Sequence, residues 1–259
     1  MKKLNGKIIL ITGASSGIGK QTFIDLSKLE PKAIIIVSRT YEKLKKIAEE
    51  VSSKSEILIH PCDISKKESV LEMSKIVLNK FGKIDILINN AGIGIYGYLK
   101  DQTIEDIERV TNTNYFGMVY CTKAFLNSMI DNKSGKIINV ASLAASFGIP
   151  KMAPYCASKF AMLGFSESLS YELRNSGINV TVVSPVAVRT NFFDNKSFEG
   201  KMPHKLGYIL DPKTVSKAII SAITSNRVEI VVPFFTRGAV WIKHTIPYVI
   251  KPIIRSSFK

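Results

Sequence analysis

The N-terminal segment holds the pattern that most restricts the fold: an apolar run, a glycine-rich loop and a helical segment. Residues 7–12 form a nearly continuous apolar run, which is typical of a parallel strand covered on both faces. The loop Gly13-Ala14-Ser15-Ser16-Gly17-Ile18-Gly19 follows, and the helical segment extends to about residue 29. This order aims backbone N–H groups and a helix N-terminus at a phosphate. Because the spacing differs from G-x-G-x-x-G, a purely structural tight turn remains the alternative.

Strand-like and helix-like segments alternate along the rest of the chain. Further apolar strands are predicted at residues 33–37, 56–60, 84–88, 136–140, 179–183 and 227–232. Helices are predicted at residues 41–51, 65–81, 103–110, 112–130, 152–174 and 212–224. This alternation predicts an α/β fold with a doubly wound, Rossmann-type parallel sheet of seven strands. We expect a single domain over residues 1–235, because no linker or internal repeat divides the chain.

The charge of the chain does not indicate a nucleic-acid-binding protein. The net charge is +15, but residues 196–259 carry 11 Lys or Arg against 3 acidic residues, so over half the excess lies in the last quarter. The rest is scattered over helical segments, and no nucleic-acid module is recognisable. The cysteines Cys62, Cys121 and Cys156 lack metal-binding spacing, so we expect no metal and a reduced, cytoplasmic setting. No apolar run of about 18 residues is present, so no span is expected.

The end of the second strand bears on the choice of nucleotide. An acidic residue at this place in a dinucleotide-binding unit holds the ribose 2′-hydroxyl, whereas an Arg accommodates a 2′-phosphate. Here Ser38 is followed directly by Arg39, whose guanidinium matches phosphate geometry. We therefore expect NADP(H) to be preferred over NAD(H).

Polar residues also follow the third and fourth strands. Capping of the next helix and contact with adenine are equally supported for Asp63. The run Asn89-Asn90-Ala91-Gly92 falls at the carboxyl edge of the sheet, where ligands bind in such folds. Asn114 stands at a helix start, where Asn competes with the backbone for hydrogen bonds, although simple capping remains an alternative.

Tyr155 and Lys159 are four residues apart on a predicted helix and therefore share one face. A phenol ionises near pH ~10, and an ammonium within about 4–6 Å lowers that pKa. The pair then becomes a proton donor and acceptor suited to carbonyl reduction. Taken alone the spacing is weak evidence, since an exposed Lys beside a half-buried Tyr would also produce it.

The motifs taken together resemble the short-chain dehydrogenase/reductase family in its single-domain form of about 250 residues. The resemblance extends from about residue 7 to residue 233 and rests on several motifs in order. These are residues 12–19, residues 89–92, Asn114, Ser142, Tyr155 with Lys159, and residues 185–190.

The resemblance implies a role for each matching residue. Tyr155 would protonate the developing alkoxide, and Lys159 would lower the Tyr155 pKa and hold the nicotinamide ribose. Ser142 would donate a hydrogen bond to the substrate oxygen, and Asn114 would anchor a water in a proton relay. Asp63 would bind adenine, Asn89 would support the adenine pocket and the sheet, and Thr190 would meet the carboxamide or phosphate side of the cofactor. The cofactor residues implied in full are Gly13, Ser15, Ser16, Gly17, Ile18, Gly19, Ser38, Arg39, Asp63, Ile64, Asn90, Ala91, Gly92, Tyr155, Lys159, Pro185, Val188 and Thr190.

One position departs from the family pattern. Pro-Gly is usual after the sixth strand, whereas this chain has Pro185-Val186. A turn without glycine does not easily take a positive φ, so the nicotinamide contact there is expected to differ without loss of activity.

Residues 191–210 are expected to cover the substrate as a lid. The lid and the facing wall are rich in apolar and aromatic side chains, which suggests a lipophilic substrate, although ordinary packing of a lid explains them equally well. These side chains are Phe192, Phe193, Phe198, Met202, Leu206 and Tyr208 on the lid, and Ile93, Ile95, Tyr96 and Tyr98 on the wall.

Residues 236–259 form a basic, amphipathic C-terminal extension. Lys251, Arg255 and Lys259 recur every four residues opposite apolar side chains, as in segments that lie on an anionic membrane surface. Pro247 and Pro252 argue against a spanning helix. Packing of the extension on its own domain or across a dimer is the alternative.

These observations predict an NADPH-dependent reductase of a lipophilic ketone or aldehyde, such as an acyl-chain, steroid-like or lipid-linked carbonyl. Two alternatives stay open: an alcohol dehydrogenase acting in the oxidative direction, and a non-catalytic NADP-binding regulator or membrane-associated scaffold. The expected protein is cytoplasmic or peripherally membrane-associated, binds a small-molecule carbonyl and no nucleic acid, and forms a homodimer or homotetramer.

Overall fold

The computed structural model describes residues 4–194, 196–199, 208–246 and 248. Seven parallel strands form one sheet in the order β3-β2-β1-β4-β5-β6-β7, which confirms the predicted fold class. The strands are β1 (Ile8–Thr12), β2 (Ala33–Ser38), β3 (Glu56–Pro61), β4 (Ile86–Asn89), β5 (Gly135–Val140), β6 (Ile178–Pro185) and β7 (Glu229–Val232). The helices are α1 (Gly17–Ser27), α2 (Tyr41–Glu49), α3 (Lys67–Phe81), α4 (Ile104–Thr111), α5 (Gly117–Asp131), α6 (Ala153–Glu172), α7 (Pro212–Ala222) and α8 (Arg237–Thr245).

Helices cover both faces of the sheet, which explains the unbroken apolar strands. Ile8 and Leu10 of β1 pack in the layer under α3, α5 and α6, together with Phe125 of α5. Ile9 of β1 packs in the opposite layer with Phe23 of α1. Because side chains alternate along a strand, every position of such a strand must be apolar.

The strand order reverses between β1 and β4, and this reversal locates the site. The chain winds outward from β1 to β3 and then returns to place β4 on the other side of β1. The connections leaving β1 and β4 therefore diverge above their carboxyl ends and leave a crevice there, which is where open parallel sheets bind ligands.

Each strand begins and ends within two residues of its predicted bounds, and two of the differences have a clear physical reason. β6 extends to Pro185 because pairing with β7 persists, with Val186 N–H donating to Val232 O at 2.9 Å. β4 begins at Ile86, after Asp85, whose carboxylate accepts a hydrogen bond from Ile8 N–H at 2.9 Å.

Within the described ranges, every helix is too short or too polar to cross a bilayer. The same residues contain no group of three or more His, Cys, Asp or Glu side chains placed to hold a metal ion. Lid positions 200–207, with Met202 and Leu206, and tail positions 249–259 lie outside the described residues.

Candidate active site

Two adjoining cavities open at the carboxyl ends of the strands. The larger has a volume of about 590 Å³ and the smaller about 320 Å³. Ile18, Thr190 and Phe192 line both, so the two cavities share a wall.

Most residues predicted to bind the cofactor lie around the larger cavity. They are Gly13, Ser15, Ser16, Gly17, Ile18, Ser38, Arg39, Asp63, Ile64, Asn90, Ala91, Gly92 and Thr190. Tyr155, Pro185 and Val188 line the smaller cavity instead. Gly19 and Lys159 line neither.

The glycine loop has the close packing that a phosphate-binding turn needs. Gly13 has a φ of +68°, and a Cβ there would come within 2.7 Å of Ala91 Cα. A Cβ on Gly19 would come within 2.1 Å of Gly13 O. The first turn of α1 carries no acidic residue, and the Ser16 side chain does not cap it. The N–H groups of this helix end therefore remain available to an anion, and the loop fits the pyrophosphate of a dinucleotide.

Thr12 fixes the shape of the loop between β1 and β4. Its hydroxyl oxygen accepts from the backbone N–H groups of Asn90 at 3.0 Å and Ala91 at 3.1 Å. In return, Asn90 Nδ2 donates to Thr12 O at 2.9 Å. The Asn90 amide thus serves mainly to join the two strand ends.

The far end of the larger cavity carries positive charge. Arg39 and Lys43 both line it, and neither forms an ion pair with any described residue. The sequence reading missed Lys43, although it lies four residues after Arg39 in the first turn of α2. Two cations at one end of a nucleotide-sized cavity suit a 2′-phosphate.

Asp63 does not cap α3, so that alternative was wrong. Its Oδ1 accepts from Ser65 N–H at 3.1 Å and Ser65 Oγ at 2.7 Å, and the residue preceding α3 is Lys66. Asp63 stabilises the turn before the helix and lines the larger cavity, so contact with adenine stays a prediction.

Tyr155 of α6 and Ser142 at the end of β5 meet in the smaller cavity. Burial raises the pKa of Tyr155 to about 12, and interaction with the Ser142 side chain offsets that rise only in part. Ser142 Oγ also accepts from Ala144 N–H at 3.1 Å and lies 3.4 Å from Pro185 O. Tyr155 therefore keeps its proton at neutral pH.

Lys159 is almost completely buried, with 3% of its surface exposed. Its Nζ donates to Val140 O at 3.1 Å and to Met162 Sδ at 3.4 Å, and lies 5.7 Å from the centre of the Tyr155 ring. Burial lowers the pKa of Lys159 to about 7.

We expected Lys159 to lower the pKa of Tyr155, but in the folded protein the pKa of Tyr155 is raised. Burial disfavours the charged form of both groups, so the phenol and the amine each move toward neutrality. An amine that is only partly protonated at neutral pH gives the phenolate little Coulombic support.

Asn114 lies in a π-helical turn, Asn112–Phe116, between α4 and α5. Its Nδ2 donates to Ile93 O and to Ser158 Oγ, both at 2.9 Å, and its Oδ1 accepts from Ile93 N–H at 2.8 Å. Ser158 Oγ in turn donates to Tyr155 O at 2.7 Å. Both amide hydrogens are used, so the side chain holds the helix of Tyr155 against the loop after β4. Any relay water would have to bind elsewhere on Asn114.

Asn89 supports the sheet and does not line the cofactor cavity. Its Nδ2 donates to Asn139 Oδ1 at 2.9 Å and to Thr122 Oγ1 at 3.2 Å. The support of the adenine pocket that the resemblance implies for Asn89 stays a prediction.

The smaller cavity is apolar apart from Ser142 and a few other polar groups. Phe192 packs on the Tyr155 ring, with centroids 5.5 Å apart, and Tyr96 packs on Phe198 at 5.6 Å. Of the predicted wall, Tyr96 lines this cavity and Ile93 the larger one, whereas Ile95 is buried and Tyr98 is exposed.

Val186 does not need the conformation of the usual glycine. It does not have a positive φ, and its N–H is used in pairing with β7. Its side chain lines the smaller cavity. The departure from the family pattern therefore adds an apolar group to the cavity without backbone strain.

Comparison with known proteins supports this arrangement. A family model described as short chain dehydrogenase matches residues 7–199. A Dictyostelium discoideum protein named 3-ketodihydrosphingosine reductase is 35% identical over 248 residues, covering 86% of this chain and 74% of that protein. A Mus musculus protein named epidermal retinol dehydrogenase 2 is 32% identical over 251 residues, covering 95% and 80%.

Solved structures show the same fold. A metagenomic short-chain oxidoreductase in complex with NADP has a TM-score of 0.77 and 27% identity, covering 89% of this chain and 98% of that one. A short-chain dehydrogenase/reductase from Burkholderia phymatum in complex with NAD has a TM-score of 0.84 and 24% identity, covering 96% of each chain.

Proposed function

Because this chain belongs to the short-chain dehydrogenase family and is an NAD(P)-dependent oxidoreductase, we propose that it reduces lipophilic ketones or aldehydes with NADPH. The observation that carries this proposal is that Tyr155 and Ser142 line one apolar cavity, which adjoins the glycine-loop cavity.

The residues lining the larger cavity, among them Gly13, Ile18 and Arg39, would hold NADPH, which would supply a hydride to the carbonyl carbon. Ser142 donates a hydrogen bond to the carbonyl oxygen, and Tyr155 gives its proton to that oxygen as negative charge develops there. The product is an alcohol with one added hydride and one added proton. The Tyr155 oxygen is then reprotonated from solvent. Its transient negative charge favours the protonated form of the buried Lys159, and the ammonium group so formed stabilises that charge in turn.

The protonation state of Tyr155 suits carbonyl reduction. With a pKa of about 12, the phenol is a proton donor at neutral pH and is rarely available as a base. Oxidation of an alcohol would require the phenolate. The resting enzyme therefore holds the protonation state that carbonyl reduction needs, while the net direction follows the ratio of reduced to oxidised cofactor.

The lining of the smaller cavity supports a lipophilic substrate. The side chains around Tyr155 are mostly aromatic or aliphatic, including Phe192, Phe193 and Phe198. Two of the relatives carry names that refer to lipid-like substrates, a ketosphingoid base and retinol.

Lengthening the substrate is expected to raise kcat/KM. In a series of 2-alkanones reduced with NADPH, each methylene that enters the cavity should raise kcat/KM roughly fourfold, the equivalent of about 0.8 kcal/mol, until the cavity is full. Initial rates of NADPH consumption measure this. Keto acids of matched length, whose carboxylate must be desolvated, are the control. Equal values across the alkanones would contradict a lipophilic substrate.

Arg39→Ala is expected to reverse the proposed cofactor preference. Loss of a charge-assisted contact to the 2′-phosphate should raise the KM for NADPH by about 10- to 100-fold and change the KM for NADH less than about threefold. Arg109→Ala is the matched control, since Arg109 lines the same cavity but pairs with Asp106 at 2.8 Å. An equal rise for both nucleotides would remove Arg39 from 2′-phosphate recognition.

We further propose a homodimer or homotetramer formed through α5 and α6. Large apolar side chains on these helices are exposed, namely Ile130 on α5 and Phe160 and Tyr171 on α6, with Phe116 in the turn before α5. Long helices with exposed apolar side chains are suited to association between copies of one chain.

A further inference from the structure

We propose that an aromatic surface beside the mouth of the smaller cavity docks on an anionic lipid bilayer, so that substrate enters from the lipid. This aromatic rim consists of Tyr208, Phe234, Phe235 and Trp241. The inference rests on the proposed reduction of a lipophilic carbonyl and identifies where such a substrate comes from.

The large aromatic side chains of the rim are mostly exposed to solvent, and contiguous exposed apolar surface marks an interaction site. The exposed fractions are 68% for Phe234, 66% for Phe235 and 64% for Trp241. Phe234 and Phe235 begin a short 3₁₀ turn, and α8 with Trp241 follows directly. Aromatic side chains, Trp above all, concentrate at the boundary between lipid and water.

The rim is connected to the substrate cavity. Tyr208 lines that cavity, is 57% exposed, and packs edge-on against Phe235 with ring centroids 5.8 Å apart. One ring therefore faces the substrate while its neighbour faces outward. A molecule leaving a bilayer at the rim would pass over aromatic surface into the cavity.

Lys243 fastens α8 to the active-site loop. Its ammonium donates to Ser146 O and lies over the rings of Phe147 and Phe160, at 5.6 and 5.0 Å from their centres. Ser146 ends the short turn that Ser142 begins. The helix carrying Trp241 is thus held beside the catalytic groups.

The positive charge of the C-terminal segment indicates that the rim docks on an anionic bilayer. Residues 230–259 contain five Lys or Arg residues and no Asp or Glu. Positive side chains beside apolar ones bind anionic headgroups while the apolar ones enter the interface. A second copy of this chain would bring the same positive charge to the contact, and like charges across an interface oppose association.

Trp241 is the single tryptophan of the chain, so its fluorescence reports on the rim directly. Vesicles of phosphatidylcholine with phosphatidylglycerol are expected to shift the emission of the full-length protein to the blue, and brominated acyl chains should quench it. Vesicles of phosphatidylcholine alone should do neither at physiological salt. Emission unmoved by anionic vesicles would overturn the proposal.

The double variant Phe234→Ser/Phe235→Ser should bind anionic vesicles about 100-fold more weakly, roughly tenfold for each aromatic removed. Arg237→Gln should weaken binding about fivefold. The matched control is Leu71→Ser/Ile76→Ser, since these α3 side chains are each 42% exposed and line neither cavity. Equal binding by the double variant and the wild type would refute the rim as the docking surface.

A water-soluble short ketone separates this inference from the proposed function. The double variant should reduce it with NADPH as fast as the wild type does. Selective loss of vesicle binding supports the docking surface whether or not a carbonyl is reduced, whereas absent turnover in the wild type overturns the proposed function alone. A double variant that sediments as a smaller species, together with a wild type that ignores vesicles, would make the rim an interface between copies and overturn the proposal.

Discussion

Tyr155→Phe is expected to lower kcat for carbonyl reduction by about 10³-fold while NADPH still binds. The substitution removes the hydroxyl that gives its proton to the substrate oxygen in the proposed mechanism, and general acid catalysis contributes about 10²–10⁴ in rate. The ring remains, so its packing on Phe192 is kept. Carbonyl-dependent loss of NADPH absorbance measures kcat, and nucleotide titration measures binding.

Tyr96→Phe is the control for this substitution. Tyr96 also lines the smaller cavity and also packs on an aromatic ring, that of Phe198. Loss of its hydroxyl should change kcat less than about threefold. If Tyr155→Phe turned over like the wild type, Tyr155 would not be the proton donor. If neither protein turned over any carbonyl, the non-catalytic NADP-binding regulator would become the better account.

Lys159→Met is expected to abolish most activity and at the same time make the protein more stable near pH 7. The amine is buried, and its pKa falls from 10.5 to about 7, so folding at neutral pH requires a lysine that is protonated in the unfolded chain to lose its preferred charge. Removing this cost, offset by the hydrogen bond lost at Val140 O, should raise the free energy of unfolding by about 1–3 kcal/mol. We expect kcat to fall by about 10²- to 10³-fold.

The gain in stability should depend on pH in a defined direction. A lysine whose pKa is lowered by folding destabilises the protein fully below the folded value of about 7, and this cost disappears as pH rises through the unfolded value of 10.5. The difference in unfolding free energy between Lys159→Met and the wild type should therefore shrink between these values. Urea unfolding at several pH values measures it.

Lys136→Met is the matched control for Lys159→Met. Lys136 is also buried, with a pKa lowered to about 8, but it bonds to Thr181 Oγ1 at 2.7 Å, beside the strand ends opposite the site. The control should keep its turnover. A Lys159 variant that lost both activity and stability at pH 7 would show that Lys159 stabilises the fold. It would contradict the expectation that burying this lysine lowers the free energy of unfolding.

The fold could be predicted because it follows from local sequence patterns. Strands such as β1 and β2 are apolar at every position except the last, and the glycine loop marks where the first strand ends. The strand ends carrying Asn90 and Ser142 could be foreseen as cavity residues for the same reason, since all parallel strands end at one edge.

What could not be predicted depends on contacts between distant segments. The pKa of Tyr155 is set by burial under the lid and by Ser142, and neither burial nor its size can be read from the spacing of Tyr155 and Lys159. The sequence does not distinguish Lys43 from other charged residues on helices, and only the fold shows that it lines the same cavity as Arg39. The contact of Lys243 with Ser146 likewise joins residues that are 97 positions apart.

The widened turn at Asn112–Phe116 has a consequence for the whole α4–α5 rod. An unbroken α-helix rotates by about 100° per residue, so the direction of Asn114 would dictate the direction of every side chain after it. The π turn inserts one extra residue into the helix, so the side chains after it point in directions that Asn114 does not determine. Asn114 can then point toward Ser158 while Cys121, Phe125 and Met129 point toward the sheet. Deleting one residue here would turn either Asn114 away from Ser158 or the buried side chains of α5 away from the sheet.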